Sequence, residues 1–146
     1  YMQGLNLTAN HGHTAMFGVY GMLGIGLMLF CLRGLRPQMR WPEGLLRGAF
    51  WAMNIGLALM ALLTLLPMGV LQLNAALEHG YWFARSAEFM NRPIIDMLVW
   101  MRVPGDTIFS VGAVLLGWFV LRQWILPARD PDYDRAIAEG QAEGEF

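Results

Sequence analysis

Two histidines separated by one glycine, His11-Gly12-His13, are the residues whose type and spacing most clearly indicate chemistry. They lie at one end of a long apolar run, where an imidazole is costly unless it has a partner. On an α-helix, positions i and i+2 differ by about 200°, so the two rings leave opposite sides and cannot readily share one metal ion. They can hold two separate cofactors, one on each side, and haem with axial histidine ligation fits this geometry.

The spacing alone leaves a second interpretation of the histidine pair open. Both imidazoles could bond water or backbone carbonyl groups at a membrane interface. Gly12 removes bulk between the rings, so that a flat macrocycle could lie close to the backbone. Four more glycines continue this small-residue surface along the helix: Gly18, Gly21, Gly24 and Gly26. Glycine is also common where membrane helices pack together, so these positions are equally explained by helix packing.

Asp106 is an acid within an apolar segment, and an intramembrane carboxylate is a functional candidate by default. The simpler interpretation is an ion pair with Arg102, because residues at i and i−4 are neighbours on a helix. His79, the third histidine, is interpreted as an exposed or interfacial residue and is assigned no metal. Four polar residues of the second apolar stretch are predicted to form interhelical hydrogen bonds: Asn54, Thr64, Gln72 and Asn74.

Three apolar stretches must position these residues. The chain of 146 residues is 56% hydrophobic and 14% charged, well below the roughly 25% charge of soluble domains. Residues 14–32, 48–77 and 107–121 contain no Asp, Glu, Lys or Arg, and with its flanks each is long enough to cross a bilayer. They lack the alternation of barrel strands. The predicted fold class is therefore all-α, an integral membrane helical bundle fragment with three transmembrane helices.

The helices are predicted at about residues 10–33, 43–77 and 93–126, as one domain spanning 1–126. Capping oxygens on Asn6, Thr8 and Asn10 place the first helix start near Asn10. Kinks are expected at Pro67 and in the stretch 103–106. An acidic tail, 127–146, is predicted to be disordered or surface-bound. Because three membrane helices bury little against one another, and no signal peptide is evident at the start, we expect the remaining helices of a larger bundle as partners.

Charge predicts the orientation of these helices. Four arginines (Arg33, Arg36, Arg40 and Arg47) surround the first linker, so the positive-inside rule makes residues 34–47 cytoplasmic, and the tail lies on the same side. The segment 78–92 has balanced charge and three aromatic residues, as expected at the opposite, periplasmic interface. A net charge of −1 argues against a nucleic-acid partner. The single cysteine, Cys31, excludes a disulfide framework.

Three stretches together resemble one known family. The run Asn10-His11-Gly12-His13-Thr14-Ala15-Met16-Phe17-Gly18-Val19-Tyr20-Gly21 resembles the histidine-pair helix of bacterial nitric oxide reductases, which are relatives of the haem-copper oxidases. Residues 78–86 (EHGYWFARS) and 100–106 (WMRVPGD) are similar to later segments of that family, in the same order. The resemblance reaches to about Trp124. It implies a C-terminal portion of a catalytic subunit of the quinol-dependent type, in a bacterial inner membrane.

The resemblance also implies cofactors and roles. His11 corresponds to the ligand of the high-spin haem b3 iron, and His13 to one axial ligand of the low-spin haem b iron. The family's non-heme iron has its ligands on earlier helices, outside this chain. Arg85 and Arg102, with Tyr81, are candidates for contacts with haem propionates, because a guanidinium donates paired hydrogen bonds to a carboxylate. Asp106 corresponds to an aspartate that helps form the quinol pocket of quinol-using members.

The implied activity is reduction of two nitric oxide molecules to N2O and water, with electrons passing from quinol through haem b to haem b3 and the non-heme iron. One alternative is a catalytic subunit of the cytochrome c-dependent type. An oxygen-reducing haem-copper oxidase is more distant, because those enzymes usually carry a bulky residue where this chain has Gly12. A non-catalytic membrane anchor beside a redox enzyme is the alternative from another class.

Overall fold

The computed structural model describes residues 3–126 and 128–143, and three helical spans within them are long and apolar enough to cross a membrane. Helix α1 is Asn6–Leu35 and α2 is Glu43–His79. The third span, Pro93–Ile125, consists of α3 (Pro93–Trp100) and α4 (Arg102–Ile125), and α5 is Pro131–Glu143. A 3-10 turn (Phe83–Arg85) and a one-turn helix (Ala87–Met90) link the second and third spans. The all-α prediction with three membrane helices is confirmed.

Helix α1 begins at Asn6, one turn before the predicted start near Asn10. No local side chain caps it; Leu5 occupies the N-cap position. The cap comes from α2, where the Oε1 atom of Gln72 accepts hydrogen bonds from the backbone N–H (2.7 Å) and the Nδ2 (2.9 Å) of Asn6. The predicted start was wrong because a side chain 66 residues away supplies the acceptor that local sequence lacks.

Both long helices contain a π-helical segment, Gly12–Gly21 in α1 and Leu59–Leu65 in α2. The second lies directly before Pro67, which has no N–H for the carbonyl of residue 63 and would clash with it in a regular α-helix. The proline therefore widens the helix. In the third span the break lies at Met101, before the predicted stretch 103–106. Pro104 sits in the first turn of α4, where a missing N–H costs little.

The closest packing joins α2 to α4 through glycines. A Cβ atom added to Gly56 would lie 2.5 Å from the backbone nitrogen of Phe109, and one added to Gly112 would lie 2.7 Å from that of Met53. Gly105 faces Gly56 across the same interface. The two backbones approach closely because these positions carry no side chain, which is how membrane helices gain packing contact.

The end of the bundle that contains residues 80–92, between α2 and α3, is named the outer end, and it has a small apolar core around this segment. Its buried members include Leu5, Ala84, Phe89 and Ile95. Gln72 adds a hydrogen bond between α2 and this segment, in which its Nε2 atom donates to the carbonyl of Ala84 at 3.3 Å. Asn54 and Thr64 instead donate to carbonyls within α2 itself, so the prediction of interhelical bonds is wrong for these two residues.

At the opposite end, named the inner end, the linker of residues 36–42 pairs with the chain after α4. The backbone N–H of Arg40 donates to the carbonyl of Ala128 (2.9 Å), and that of Asp130 donates to Gln38 (2.8 Å). The tail then forms α5, so of the two predicted states, disordered or surface-bound, the first is wrong for residues 131–143 and the second stays a prediction. Pro131 and acidic residues in its first turn favour this helix start. Residues 127 and 144–146 of the predicted tail lie outside the described residues.

Candidate functional site

A pocket of about 670 Å³ lies between α1, α2 and α4 toward the outer end of the bundle. It brings together three predicted site residues, His13 from α1 and Arg102 and Asp106 from α4. The rest of its wall is mostly apolar or small: Ala9, Gly12, Phe17, Leu57, Met60, Phe109 and Ser110. An apolar pocket of this size with a few convergent polar groups is typical of a ligand or cofactor site.

The His13 ring is held by its own helix. Its Nδ1 atom lies 2.7 Å from the carbonyl oxygen of Ala9, one turn earlier. A carbonyl only accepts, so Nδ1 carries a proton, and in the neutral ring the Nε2 atom keeps its lone pair. This is how a protein usually orients a histidine for an iron or zinc ion. The pocket therefore has one fixed imidazole with a nitrogen available for coordination.

His11 does not line this pocket, and its side chain is exposed on the described chain. The two imidazoles thus have separate surroundings, as the spacing argument predicted for two cofactors. A Cβ added to Gly12 would meet nothing within 4 Å, so the space between the two rings is open here. Asn10, directly before His11, has a buried Oδ1 atom with no hydrogen-bond partner among the described residues.

Asp106 and Arg102 form the ion pair that their spacing predicted. The Nε atom of Arg102 lies 3.3 Å and 3.1 Å from the two carboxylate oxygens of Asp106. Both side chains remain partly exposed, at 37% and 45%. The pair therefore sits at the pocket wall with one face free, rather than sealed inside the helix interface.

Arg85 and Tyr81 lie apart from the pocket. The guanidinium of Arg85 is 5.4 Å from the centre of the Tyr81 ring and packs over Gly4, whose φ is +75°. His79 is exposed, with its Nδ1 3.7 Å from a carboxylate oxygen of Glu78 and its ring against Phe83. In the described part of the chain, no group of three or more His, Cys, Asp or Glu residues could hold a metal ion.

Sequence reasoning missed the aromatic wall of the pocket. Phe17 and Phe109 meet edge to face with ring centres 4.8 Å apart, closing the pocket between α1 and α4. Helical periodicity could have found them. Phe17 is four residues after His13, and Phe109 and Ser110 are three and four residues after Asp106, so each lies on the same helix face as a predicted site residue.

Comparison with known families identifies the class of protein. The family model described as cytochrome c and quinol oxidase polypeptide I matches residues 1–108. The match covers most of the chain and includes every site residue that the sequence predicted, from His11 to Asp106. The chain belongs to this family, so it is part of a haem-copper-oxidase-like membrane redox subunit, an oxidoreductase family that binds haem. The comparison with curated proteins finds no match.

Proposed function

We propose that this chain is the haem-binding C-terminal part of a quinol-dependent nitric oxide reductase. The carrying observation is His13, whose Nε2 is free for coordination while the ring borders a pocket shared with Arg102 and Asp106. Family membership supports a haem enzyme. The nitric oxide specificity and the quinol donor rest on the resemblance of the His11-Gly12-His13 run and the later segments.

The pocket fits one edge of a haem held by His13. Phe17, Leu57 and Phe109 provide an apolar surface for a macrocycle, and Gly12 leaves room for it to approach the backbone. Arg102 offers a guanidinium at the same pocket for a propionate. When bound, haem supplies an iron that accepts and passes on single electrons, and its axial histidine helps to set the potential. His13 would hold the iron through Nε2, and the Ala9 carbonyl fixes the orientation of the ring.

Asp106 is proposed to serve the quinol. Oxidation of a quinol releases two protons with its electrons, and a carboxylate within hydrogen-bond reach of a hydroxyl can accept one of them. Asp106 lies beside Arg102 at an open pocket wall, and its exposed face supports access for a lipid-soluble ligand. Arg102 holds the carboxylate in place. In this arrangement, the proton acceptor Asp106 and the proposed haem b ligand His13 line the same pocket.

His11 is proposed to hold the haem b3 iron on the other side of α1. Its exposed position on this chain supports a partner surface supplied by the other helices of the same enzyme. Those helices are proposed to carry the non-heme iron ligands and to complete the nitric oxide site. Arg85 is proposed to reach a propionate at the outer surface, which is the periplasmic side, while residues 34–47 and the tail face the cytoplasm of a bacterial inner membrane.

The glycine at position 12 favours a nitric oxide reductase by resemblance, because oxygen-reducing members of the family usually have a bulky residue there. The cytochrome c-dependent type remains the second candidate, because it shares these helices and differs in its electron donor. Nothing specific in the pocket favours a non-catalytic anchor, since an anchor has no need of an oriented imidazole facing a pocket.

Visible spectra of the complete membrane enzyme test the haem assignments. Reduced-minus-oxidised and CO-difference spectra are compared for the parent, His11→Ala and His13→Ala. We expect His11→Ala to lose the CO-reactive high-spin haem and His13→Ala to lose the low-spin haem. His79→Ala is the matched control, because His79 is an exposed histidine of the outer segment and should leave both signals intact. Unchanged spectra in both of the first two variants would leave only a structural membrane segment.

Turnover then separates the candidate activities. The parent enzyme is supplied with nitric oxide or with oxygen, and with a quinol or with reduced cytochrome c. Formation of N2O with quinol supports the proposal. N2O formation with cytochrome c alone would favour the second candidate. Oxygen consumption without N2O would return the chain to the oxidases of its family.

A further inference from the structure

Two adjoining pockets lie at the inner end of the bundle, away from the haem site. The larger, about 910 Å³, is bordered by the linker before α2, the end of α4 and the segment before α5. The smaller, about 350 Å³, is an almost wholly apolar groove between α1, α2 and α4. Glu43 and Leu46 line both. The two pockets therefore adjoin at these two residues, and the apolar groove extends from there along the membrane-spanning helices.

The larger pocket carries three guanidinium groups, those of Arg33, Arg40 and Arg122. Within the described residues, none of these three forms an ion pair. Arg33 is held in place because its side chain donates to the carbonyl of Met39 at 2.8 Å and lies 5.5 Å from the centre of the Trp41 ring. Clustered guanidinium groups at a membrane boundary are suited to a phosphate.

Three carboxylates line the same pocket: Glu43, Asp130 and Asp132. Asp132 lies 3.4 Å from Arg135 outside the pocket. The Oδ1 atom of Asp130 accepts the backbone N–H of Asp132 at 3.2 Å, which leaves Glu43 and the Oδ2 atom of Asp130 for a cation. A ligand with only negative charge would meet these carboxylates unfavourably. The balance of charges fits a headgroup that carries a phosphate and an ammonium together.

The groove supplies the place for an acyl chain. Ile25 and Leu29 of α1 face Phe50 of α2 and Leu116 of α4 across it. Within the described residues, α1 buries none of its side chains between Gly12 and Leu35, so no described segment covers this side of the groove. An apolar groove beside a polar pocket favours a lipid over a soluble phosphate compound, because the soluble compound has no acyl chain to occupy the groove.

We propose that the two pockets form one binding site for phosphatidylethanolamine. The phosphate lies among Arg33, Arg40 and Arg122, the primary ammonium donates to Glu43 and Asp130, and one acyl chain occupies the groove. The bound lipid joins the first linker to the end of α4, the same parts that the backbone pairing of residues 38–40 with 128–130 brings together. This site is independent of the proposed activity.

Lipid competition on the unmodified, complete enzyme is the first test. The delipidated enzyme is titrated with phosphatidylethanolamine, phosphatidylcholine or phosphatidylglycerol of the same acyl chains, and bound lipid is counted by native mass spectrometry. Phosphatidylcholine has no N–H to donate and phosphatidylglycerol has no cation. We expect phosphatidylethanolamine to bind about tenfold more tightly than either, as charge-assisted hydrogen bonds would give. Equal or tighter binding of phosphatidylglycerol overturns the proposal.

Variants then locate the site. Arg122→Gln and Arg40→Gln should each weaken phosphatidylethanolamine binding about tenfold, whereas Arg129→Gln removes an exposed arginine outside the pocket and should change it less than about twofold. Leu29→Trp fills the groove and should also displace the lipid, while Phe30→Trp changes an outward residue that is 77% exposed and should not. Unchanged binding in Arg122→Gln and Leu29→Trp, with circular dichroism preserved, would refute this location.

Discussion

The Nδ1 atom of His13 and the carbonyl oxygen of Ala9 are 2.7 Å apart, one helical turn along α1. This contact decides which ring nitrogen is free, because the proton must lie on Nδ1. The free Nε2 belongs to the ring that borders the pocket shared with Arg102 and Asp106. The backbone of α1 thus orients a ligand-competent imidazole, which has no side-chain hydrogen-bond partner among residues 3–126 and 128–143.

Removing the His13 ring and supplying imidazole from solution tests this ligand role. We expect His13→Gly to reduce low-spin haem content about tenfold or more, because an axial ligand is lost. Added imidazole should restore the low-spin spectrum, since the pocket of about 670 Å³ is open enough to admit it. His11→Gly is the control, because it should keep its low-spin signal whether or not imidazole is added. Full low-spin haem in His13→Gly without imidazole would contradict the assignment.

Substitutions at Arg102 and Asp106 distinguish a structural role of this ion pair from a chemical role in quinol oxidation. Because both side chains are partly exposed, the pair contributes only about 0.2–1 kcal/mol to stability. If Asp106 accepts a proton from quinol, Asp106→Asn should lower quinol-driven turnover about 100-fold with little change in the unfolding midpoint. Turnover with an artificial one-electron donor should be kept. Arg102→Gln should lower turnover with both donors, because it displaces the Asp106 carboxylate and also removes the guanidinium proposed to bind a haem propionate.

An equal loss with quinol and with the artificial donor would assign Asp106 to the haem environment instead. A large drop in the unfolding midpoint would support the purely structural ion pair.

The three membrane spans and the separate surroundings of the two histidines could be predicted from the sequence, because apolar length and residue spacing are local properties. The Arg102–Asp106 pair was predictable for the same reason. The start of α1 was not, because its cap is Gln72, which only folding brings to Asn6. The pairing of residues 38–40 with 128–130 was equally beyond local patterns, since neither segment has the alternation of a strand.

The candidate site was only half predictable. His13, Arg102 and Asp106 stood out because polar groups in an apolar run are costly. Phe17 and Phe109 did not stand out, because aromatic residues in a membrane helix are ordinary until a structure brings their rings within 4.8 Å beside the pocket.

The close glycine contacts between α2 and α4 predict how substitutions on α4 change stability, and the same helix offers a control position. A Cβ at Gly112 would lie 2.6 Å from Met53 Cγ and 2.7 Å from its backbone nitrogen, so Gly112→Val must push the helices apart. We expect a loss of about 1–3 kcal/mol in the free energy of unfolding. Gly117→Val should cost little, because a Cβ there meets nothing within 4 Å. Denaturant titration in detergent measures both, and equal losses would contradict the close approach.

The cap of α1 by Gln72 predicts a local effect at the outer end of the bundle. Gln72 is 3% exposed, and its side chain serves Asn6 and the Ala84 carbonyl. Gln72→Leu keeps the size but leaves these groups unpaired, at a cost of about 1–3 kcal/mol. Hydrogen exchange should therefore accelerate at the amides of residues 6–9 and leave α4 unchanged. Asn74→Leu, at an exposed position of the same helix, should leave exchange at residues 6–9 as it is. If both variants protect these amides equally well, the first turn of α1 is held by the packing of Leu7 against Gly69 rather than by the cap.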